Sequence, residues 1–385
     1  MIRYIIYIAM TCGIFAQTTG KISGIIKDKS DFSPLPGANV YLENSSFGNA
    51  SDENGRFTLI NIPPGKYNLK IDMIGYKSIK MENISVSVNR TFSLEVDLEQ
   101  TVIEGEVVTV EVARFSQKKD QTGTIKNISG DEINALPVEN VGAVVNMQAG
   151  VVNGHFRGGR NTEVTYMVDG IQVDETFGGS SATVDIQPEA VQDLEVVTGT
   201  FNAEYGRAMS GVVNVVTRDG GSKFEGSVSL GGSSYFTDND DIFIGLDPSV
   251  NKSQDIKFSL GGPILGNKIT FFSNVRVQSN NGHLNGLRLF EVDNFSNFYT
   301  DDSLLWSSEK TGDSSYVSMN SSNNLSALFK LSFNLFNGIR FSTLYSHSDD
   351  SWQGYDHSFK YNPDGRSTDH KVTNYFAFQL NQMLS

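Results

Sequence analysis

From residue 222 onward the chain repeats one pattern, segment after segment: apolar and polar side chains alternate with a period of two. Phe224, Val228 and Leu230 alternate with Glu225, Ser227 and Ser229. Ile256, Phe258 and Leu260 alternate with Asp255, Lys257 and Ser259. Ile269, Phe271, Val275 and Val277 alternate with Thr270, Asn274, Arg276 and Gln278. Three more runs follow, marked by Leu325, Ala327, Phe329, Leu331, Phe333 and Leu335, then Ile339, Phe341 and Tyr345, then Val372, Phe376, Phe378 and Leu380. A strand turns successive side chains to opposite faces, so each run has one apolar, aromatic face and one polar face. The connections alternate too. Asn337-Gly338 and residues 262–267 are short turns, whereas residues 233–252, 280–322 and 349–369 are long and polar. Apolar faces toward lipid, polar faces toward water, short turns at one end and long loops at the other form the pattern of a membrane β-barrel.

About six strands fit into residues 222–385. The smallest single-chain bacterial barrels have about 8. An open sheet with a lipid-type face would leave two unpaired edges. The expectation is therefore an incomplete barrel, the first part of a longer chain, so that the 385 residues are a fragment.

Charge and composition remove other classes. The formal net charge of −14 disfavours nucleic-acid binding through bulk charge. The single Cys, Cys12, and five scattered His exclude a Cys-rich zinc site and an intrachain disulfide. Residues 1–16 have Arg3 ahead of an apolar run and Ala16 as a small residue before Gln17, the pattern of an export signal peptide. No phosphate loop, His-Glu-x-x-His or Gly-x-Ser-x-Gly occurs. Ser116-Gln117-Lys118-Lys119, Thr237-Asp238-Asn239 and Lys310-Thr311-Gly312 imitate the three motifs of penicillin-binding enzymes. Their context is wrong: the Ser lies in a polar linker and the Lys-Thr-Gly in the longest polar loop. No catalytic residue, metal or cofactor is expected.

Residues 17–100 read as short strands between turns, an all-β sandwich. Gly24, Pro36-Gly37-Ala38, Asp52-Glu53-Asn54-Gly55-Arg56-Phe57, Pro64-Gly65, Tyr67 and Gly75-Tyr76 make this stretch resemble the carboxypeptidase regulatory-like domain. The resemblance implies a spacer or docking module and no peptidase activity.

Residues 123–221 mix helices and strands. Ser129-Gly130-Asp131-Glu132 is a capping box opening a short helix that ends before Pro137. Val141, Val144 and Val145 mark one face of a second helix ending near Gly150. Asp169-Gly170 turns a hairpin, Pro188 starts another short helix, and two β-rich runs cover residues 194–198 and 212–217. Four pieces carry a resemblance to the plug domain of TonB-dependent outer-membrane receptors. They are Phe156-Arg157-Gly158, Met167-Val168-Asp169-Gly170-Ile171, residues 191–199 with Glu195 and Gly199, and residues 204–217 with Tyr205, Gly206, Gly211 and Asn214. Ser210-Gly211 stands where the family usually has paired glycines. Gly158, Gly170, Gly206 and Gly211 read as tight turns or close backbone approaches. Arg157 and Glu195 are either solvated surface charges or partners of the barrel wall, a pairing that in the family helps to hold the plug.

The resemblance implies the rest. Residues 101–122 hold a short β-forming stretch and a polar linker. By itself the stretch would be the last strand of the sandwich; beside a plug, Glu106, Val107, Val108, Thr109 and Val110 are similar to a TonB box, which pairs with TonB by strand addition. The family's barrels have about 22 strands. The implied protein is a receptor of the cell outer membrane, bathed in outer-membrane lipid, with its N-terminal domain in the periplasm. It would take up a scarce bulky solute, driven through TonB and its inner-membrane energising complex. Siderophores, cobalamin, glycans and peptides stay open as solutes, as does a surface lipoprotein partner. The other reading is a non-transporting envelope binding or adhesion protein built from the same modules.

Overall fold

The computed structural model describes residues 19–45, 47–101, 107–111, 125–173, 184–199, 205, 208–246, 252–299, 301–336 and 339–382. The expected signal peptide, Glu106, Ser116, Gly206 and the Asn337-Gly338 turn lie outside these residues.

The first body is a sandwich of eight strands. They are β1 (Gly20–Asp28), β2 (Asn39–Leu42), β3 (Gly48–Ala50), β4 (Arg56–Ile62), β5 (Gly65–Asp72), β6 (Ser78–Val86), β7 (Thr91–Leu98) and β8 (Val107–Glu111). One sheet has the order β4-β1-β7 and the other β3-β2-β5-β6-β8. Ile22, Ile26, Leu42, Ile62, Leu69, Ile71, Ile84 and Leu98 are fully buried between the sheets. Period-two alternation sends these side chains inward.

The sandwich runs past the expected boundary at residue 100. The β-forming stretch placed with the linker is its last strand, as the stretch read by itself implies: β8 pairs in parallel with β6, from Ser78 opposite Val107 to Glu82 opposite Glu111. The physical reason is the unpaired edge of β6. The Val-rich segment that follows β7 supplies the missing backbone partners.

The second body spans β9 (Ile125–Ser129), α1 (Gly130–Asn134), α2 (Val141–Asn146), β10 (Val164–Val168), β11 (Ile171–Gln172), β12 (Val191–Val197) and β13 (Gly211–Thr217). Its sheet has the order β11-β10-β13-β12-β9. Both hydrogen bonds of the capping box form: the Ser129 N–H donates to Glu132 at 3.0 Å, and the Glu132 N–H to the Ser129 hydroxyl at 3.3 Å. Val141, Val144 and Val145 are buried as one face of α2, which stops at Asn146, short of Gly150. Pro188 opens a single 3-10 turn, Pro188–Ala190.

The third body is one antiparallel sheet, each strand beside its sequence neighbour: β14 (Glu225–Ser233), β15 (Ser253–Leu265), β16 (Ile269–Asn280), β17 (Ser322–Phe336), β18 (Ile339–Trp352) and β19 (Asp369–Gln382). It is open, since β14 and β19 do not pair with each other. Val228, Leu230, Phe376, Phe378 and Leu380 are exposed on its outer face, while Asn274, Arg276, Ser326, Lys330, Ser332 and Ser346 are buried on its inner face against the plug. Phe272, Leu328, Leu344 and Ala377 break the polar rule on the inner face. They join the plug's apolar core, where the wall is covered and no longer wet.

Three of the family pieces meet inside the plug. A Cβ added to Gly211 would lie 2.3 Å from the ring of fully buried Phe156, and one added to Gly199 would lie 2.7 Å from the Arg157 guanidinium. Glycine is required at residue 211 because the ring occupies the side-chain space. Gly211→Ala is expected to destabilise the plug by roughly 1–3 kcal/mol through overpacking. Phe156→Ala should cost roughly 3–5 kcal/mol. The double variant should cost less than their sum, because the first change empties the space that the second fills. Denaturant titration of all four proteins measures this coupling; strict additivity would contradict it.

Candidate functional site

The site is the set of contacts that hold the plug to the wall on one side and to the sandwich on the other. Strand parity places its cations. Lys257 on β15, Arg276 on β16, Lys330 on β17 and Arg340 on β18 all project to the inner face. The plug and the segment after it supply carboxylates.

Asp169, in the hairpin turn, is the centre of the tightest cluster. Its backbone takes φ +49° and Gly170 takes φ +77°, the left-handed pair that a two-residue hairpin turn needs. The turn is tied to β13: the Asp169 N–H donates to Val215 O at 2.9 Å and the Gly170 N–H to Asn214 Oδ1 at 3.3 Å. The carboxylate accepts the Thr217 N–H at 2.8 Å and the Thr217 hydroxyl at 2.7 Å. Lys330 Nζ closes the cluster from the wall, 3.0 Å from Asp169 Oδ2 and 3.3 Å from Asp219 Oδ1. It also donates to Thr217 Oγ1 at 2.8 Å. Arg340 pairs with Asp219, and the Ser332 hydroxyl donates to Asp219 at 2.7 Å. Two cations thus face two carboxylates. Burial pushes the Asp219 carboxyl up, but Arg340 and Lys330 outweigh it and hold the group at about 2.

A second cluster centres on Arg276. Its guanidinium grips Asp255 of the neighbouring strand with bonds of 2.8 and 2.7 Å. It then reaches the plug, at Glu139 Oε2 (2.6 Å), Glu139 O (3.1 Å) and Gln187 Oε1 (3.0 Å). Lys257 pairs with Glu189 at 3.0 Å.

The opposite side of the plug meets the sandwich at the turn between β6 and β7. The Val88 N–H donates to Asp193 Oδ2 at 2.8 Å, and Asn127 Nδ2 donates to Val88 O at 3.3 Å. Asn89 Nδ2 donates to Glu195 at 3.2 Å and to the Tyr205 hydroxyl at 3.1 Å. Arg90 donates to Asn127 and, at 2.9 Å, to Ile125 O; Lys66 pairs with Asp131. Burial pushes the Asp193 carboxyl up to about 6, although the bonds from Val88 and Asn127 oppose the rise. Its other oxygen, Oδ1, is buried without a hydrogen-bond partner among the described residues. A cavity of about 1220 Å³ opens between sandwich, plug and wall, lined by Lys66, Asp131, Asp193, Arg218, Asp219 and Arg340. The sandwich also touches the short-turn end of the sheet, where Asn267 Nδ2 donates to Asn44 O at 2.7 Å.

Of the expected residues, Asp169, Gly170 and Asn214 form one cluster, and Glu195 and Tyr205 another. Arg157 and Gly158 sit on a left-handed turn, φ +49° and +80°, with Arg157 over Gly199. Glu195, read as a wall partner or a solvated charge, is buried and accepts from Asn89 and Tyr205 on the plug's sandwich side, where β12 lies. The wall pairs instead use Glu139, Asp169, Glu189 and Asp219. Lys257 and Arg276 were legible as inward positions by parity, and the same rule would have marked Lys330 and Arg340. Their carboxylate partners had no sequence signal. Among the described residues no group of His, Cys, Asp and Glu is placed to hold a metal ion.

Residues 22–110 match the model of the CarboxypepD_reg-like domain, and residues 117–213 that of the TonB-dependent receptor plug domain. The first match includes β8. The chain is 28% identical over 245 residues to the TonB-dependent transporter Oar of Myxococcus xanthus, covering 58% of this chain and 23% of that protein. It is 27% identical over 251 residues to the TonB-dependent receptor SusC of Bacteroides thetaiotaomicron, covering 60% and 24%. Among solved structures it is similar to a ferric enterobactin receptor variant from Pseudomonas aeruginosa, with TM-score 0.46 and 14% identity, over 69% of this chain and 40% of that one. The chain spans about a quarter of the length of these curated relatives. The plug model and these relatives are those of receptors and transporters, not of enzymes.

Lys330→Met is expected to loosen the plug by roughly 3–5 kcal/mol, because it leaves Asp169 buried without its cation. Lys257→Met, at a more exposed pair, should cost about 1 kcal/mol or less. The urea concentration that releases the plug from the wall measures both, and equal shifts would contradict the assignment.

The Asp193 carboxyl binds its proton more tightly in the fold, at about 6, than in the unfolded chain, at 3.8. Between these values the folded state holds more protons, so the sandwich–plug joint strengthens as pH falls from about 6 to 4. Asp193→Asn should give the strengthened joint at pH 7 and remove this dependence. Proteolysis of the joint at pH 4.5 and 7 checks it. The Asp219 cluster should hold throughout that range, since its carboxyl protonates only near 2.

Proposed function

We propose that this chain, which belongs to the TonB-dependent receptor family, serves energised uptake of a scarce, bulky solute across the outer membrane. One observation carries the reading: a plug is seated by ion pairs, with Lys330–Asp169 buried, on the polar inner face of a sheet whose outer face is apolar. That arrangement suits a wall between lipid and a blocked lumen.

The apolar face meets outer-membrane lipid, and the open sheet reaches a closed barrel with further strands. The short-turn end, where the sandwich sits, is the periplasmic end, because barrels of this kind keep their short turns there. The long connections carry exposed Phe295, Phe298, Tyr299, Leu304 and Trp306 and face the outside, where solute is captured. Capture alone cannot drive uphill transport, since a ligand shifts an equilibrium only by its differential affinity. The work comes from TonB, which pairs with residues 106–110 and pulls. Linker and sandwich pass the pull to β9 and β12. The ion pairs on the wall set how far the plug moves before it resists. The relatives' names span a general receptor, a transporter and a vitamin B12 transporter, so the solute class stays open.

The test deletes residues 104–112 from the intact receptor and follows accumulation of a panel of ferric siderophores, cobalamin, oligosaccharides and peptides. Accumulation of the transported solute should fall to the level seen with an uncoupler, while surface binding is kept. Unchanged accumulation would overturn the reading.

A further inference from the structure

Strand β8 ends the larger sheet of the sandwich. One side pairs with β6 over five consecutive residues without a register break, and among the described residues no strand lies against its other side. An edge of this kind is a template for another chain, and proteins usually blunt it with Pro, Lys or a bulge. Val107, Val108, Thr109, Val110 and Glu111 include neither Pro nor Lys, and the pairing shows no bulge. A strand's backbone groups alternate between its two neighbours, so β6 satisfies one set while the other faces outward. Thr109, at the middle of the strand, is exposed.

We propose that the sandwich presents the TonB box as a ready-made edge strand, and that TonB adds its own strand to the outer edge of β8 without removing β8 from β6. The proposal rests on the reading of residues 106–110 as the box. Sheet β3-β2-β5-β6-β8 then gains a sixth strand. A loose peptide loses its backbone freedom when it pairs; β8 has already lost it in folding, so the partner meets a preorganised edge. The sandwich is thereby half of the coupling surface, rather than a spacer. Its position fits the role: β6 runs directly into the turn whose Val88, Asn89 and Arg90 are bonded to Asp193, Glu195 and Asn127 of the plug. A partner seated on β8 is one strand away from the plug's own sheet.

The test locks β8 to β6. Lys80 and Thr109 are register partners, and Thr109 is exposed, so Lys80→Cys with Thr109→Cys places a disulfide on the solvent face. Cys12 lies in the expected signal peptide, and residues 17–385 hold no other Cys to compete for the new pair. The intact receptor in detergent is titrated with the purified C-terminal domain of TonB. The Kd of the oxidised form should equal that of the reduced form or be up to about tenfold lower. A Kd raised about tenfold or more by oxidation, and restored by reduction, would mean that the box has to leave the sandwich, and would overturn the proposal. The receptor lacking residues 104–112 separates this failure from that of the underlying reading: if it binds TonB as well as wild type, the box assignment itself falls. Hydrogen exchange on the unmodified receptor gives an independent readout. The amides of Ser78–Glu82 that bond to β8 should stay protected when TonB binds, and their loss of protection would count against it.

Discussion

A strand that faces hydrocarbon on one side and protein on the other can carry charge only on its inner side, and an inner cation is stable only where something opposite in sign meets it. The plug's position follows from this constraint. Lys257, Arg276, Lys330 and Arg340 all point inward from the sheet, and Glu189, Glu139, Asp169 and Asp219 meet them. The two most buried of these pairs, Lys330–Asp169 and Arg340–Asp219, carry extra hydrogen bonds from Thr217 and Ser332. That is the condition under which a buried ion pair offsets its desolvation. Such clusters specify one seating: a plug shifted by one strand would leave several charges buried and alone.

The plug's other face is held differently. Its joint to the sandwich uses backbone groups and amides, with one buried carboxyl, Asp193, raised to about 6. The wall clusters are ionic and keep their charge down to about 2 at Asp219. The plug is thus fastened on two sides by interactions of different kinds. The Asp193 carboxyl of the sandwich joint takes up its proton in mild acid, and the Asp219 carboxyl at the wall does not.

Much of the fold was legible because its signals are local. Alternation marked the strands, the Ser129 and Glu132 pair marked the start of α1, and Asp169-Gly170 marked the hairpin. In each case the residues that carry the signal are within a few positions of each other. At β8 the local reading was the last strand of the sandwich, and the resemblance to a plug-bearing receptor moved the stretch to the linker; nothing nearby in sequence shows that β6, more than twenty residues upstream, offers it an unpaired edge. Glu195 shows the same limit: its charge was visible, but which way β12 faces depends on a sheet order, β11-β10-β13-β12-β9, that pairs β12 with β9 and β10 with β13 across long stretches of chain.

The sequence by itself determined the three bodies, the inward and outward faces of the barrel strands, and the family pieces of the plug. Periodicity and turn chemistry act over two to five residues and survive without any tertiary context. Only the tertiary structure decided which charges meet. Lys330 finds Asp169 across more than 150 residues, and Gly211 needs to be glycine because the ring of Phe156 arrives from 55 residues away. Coulomb attraction and close packing depend on distance in space, and chain order does not encode that distance until the sheets have formed.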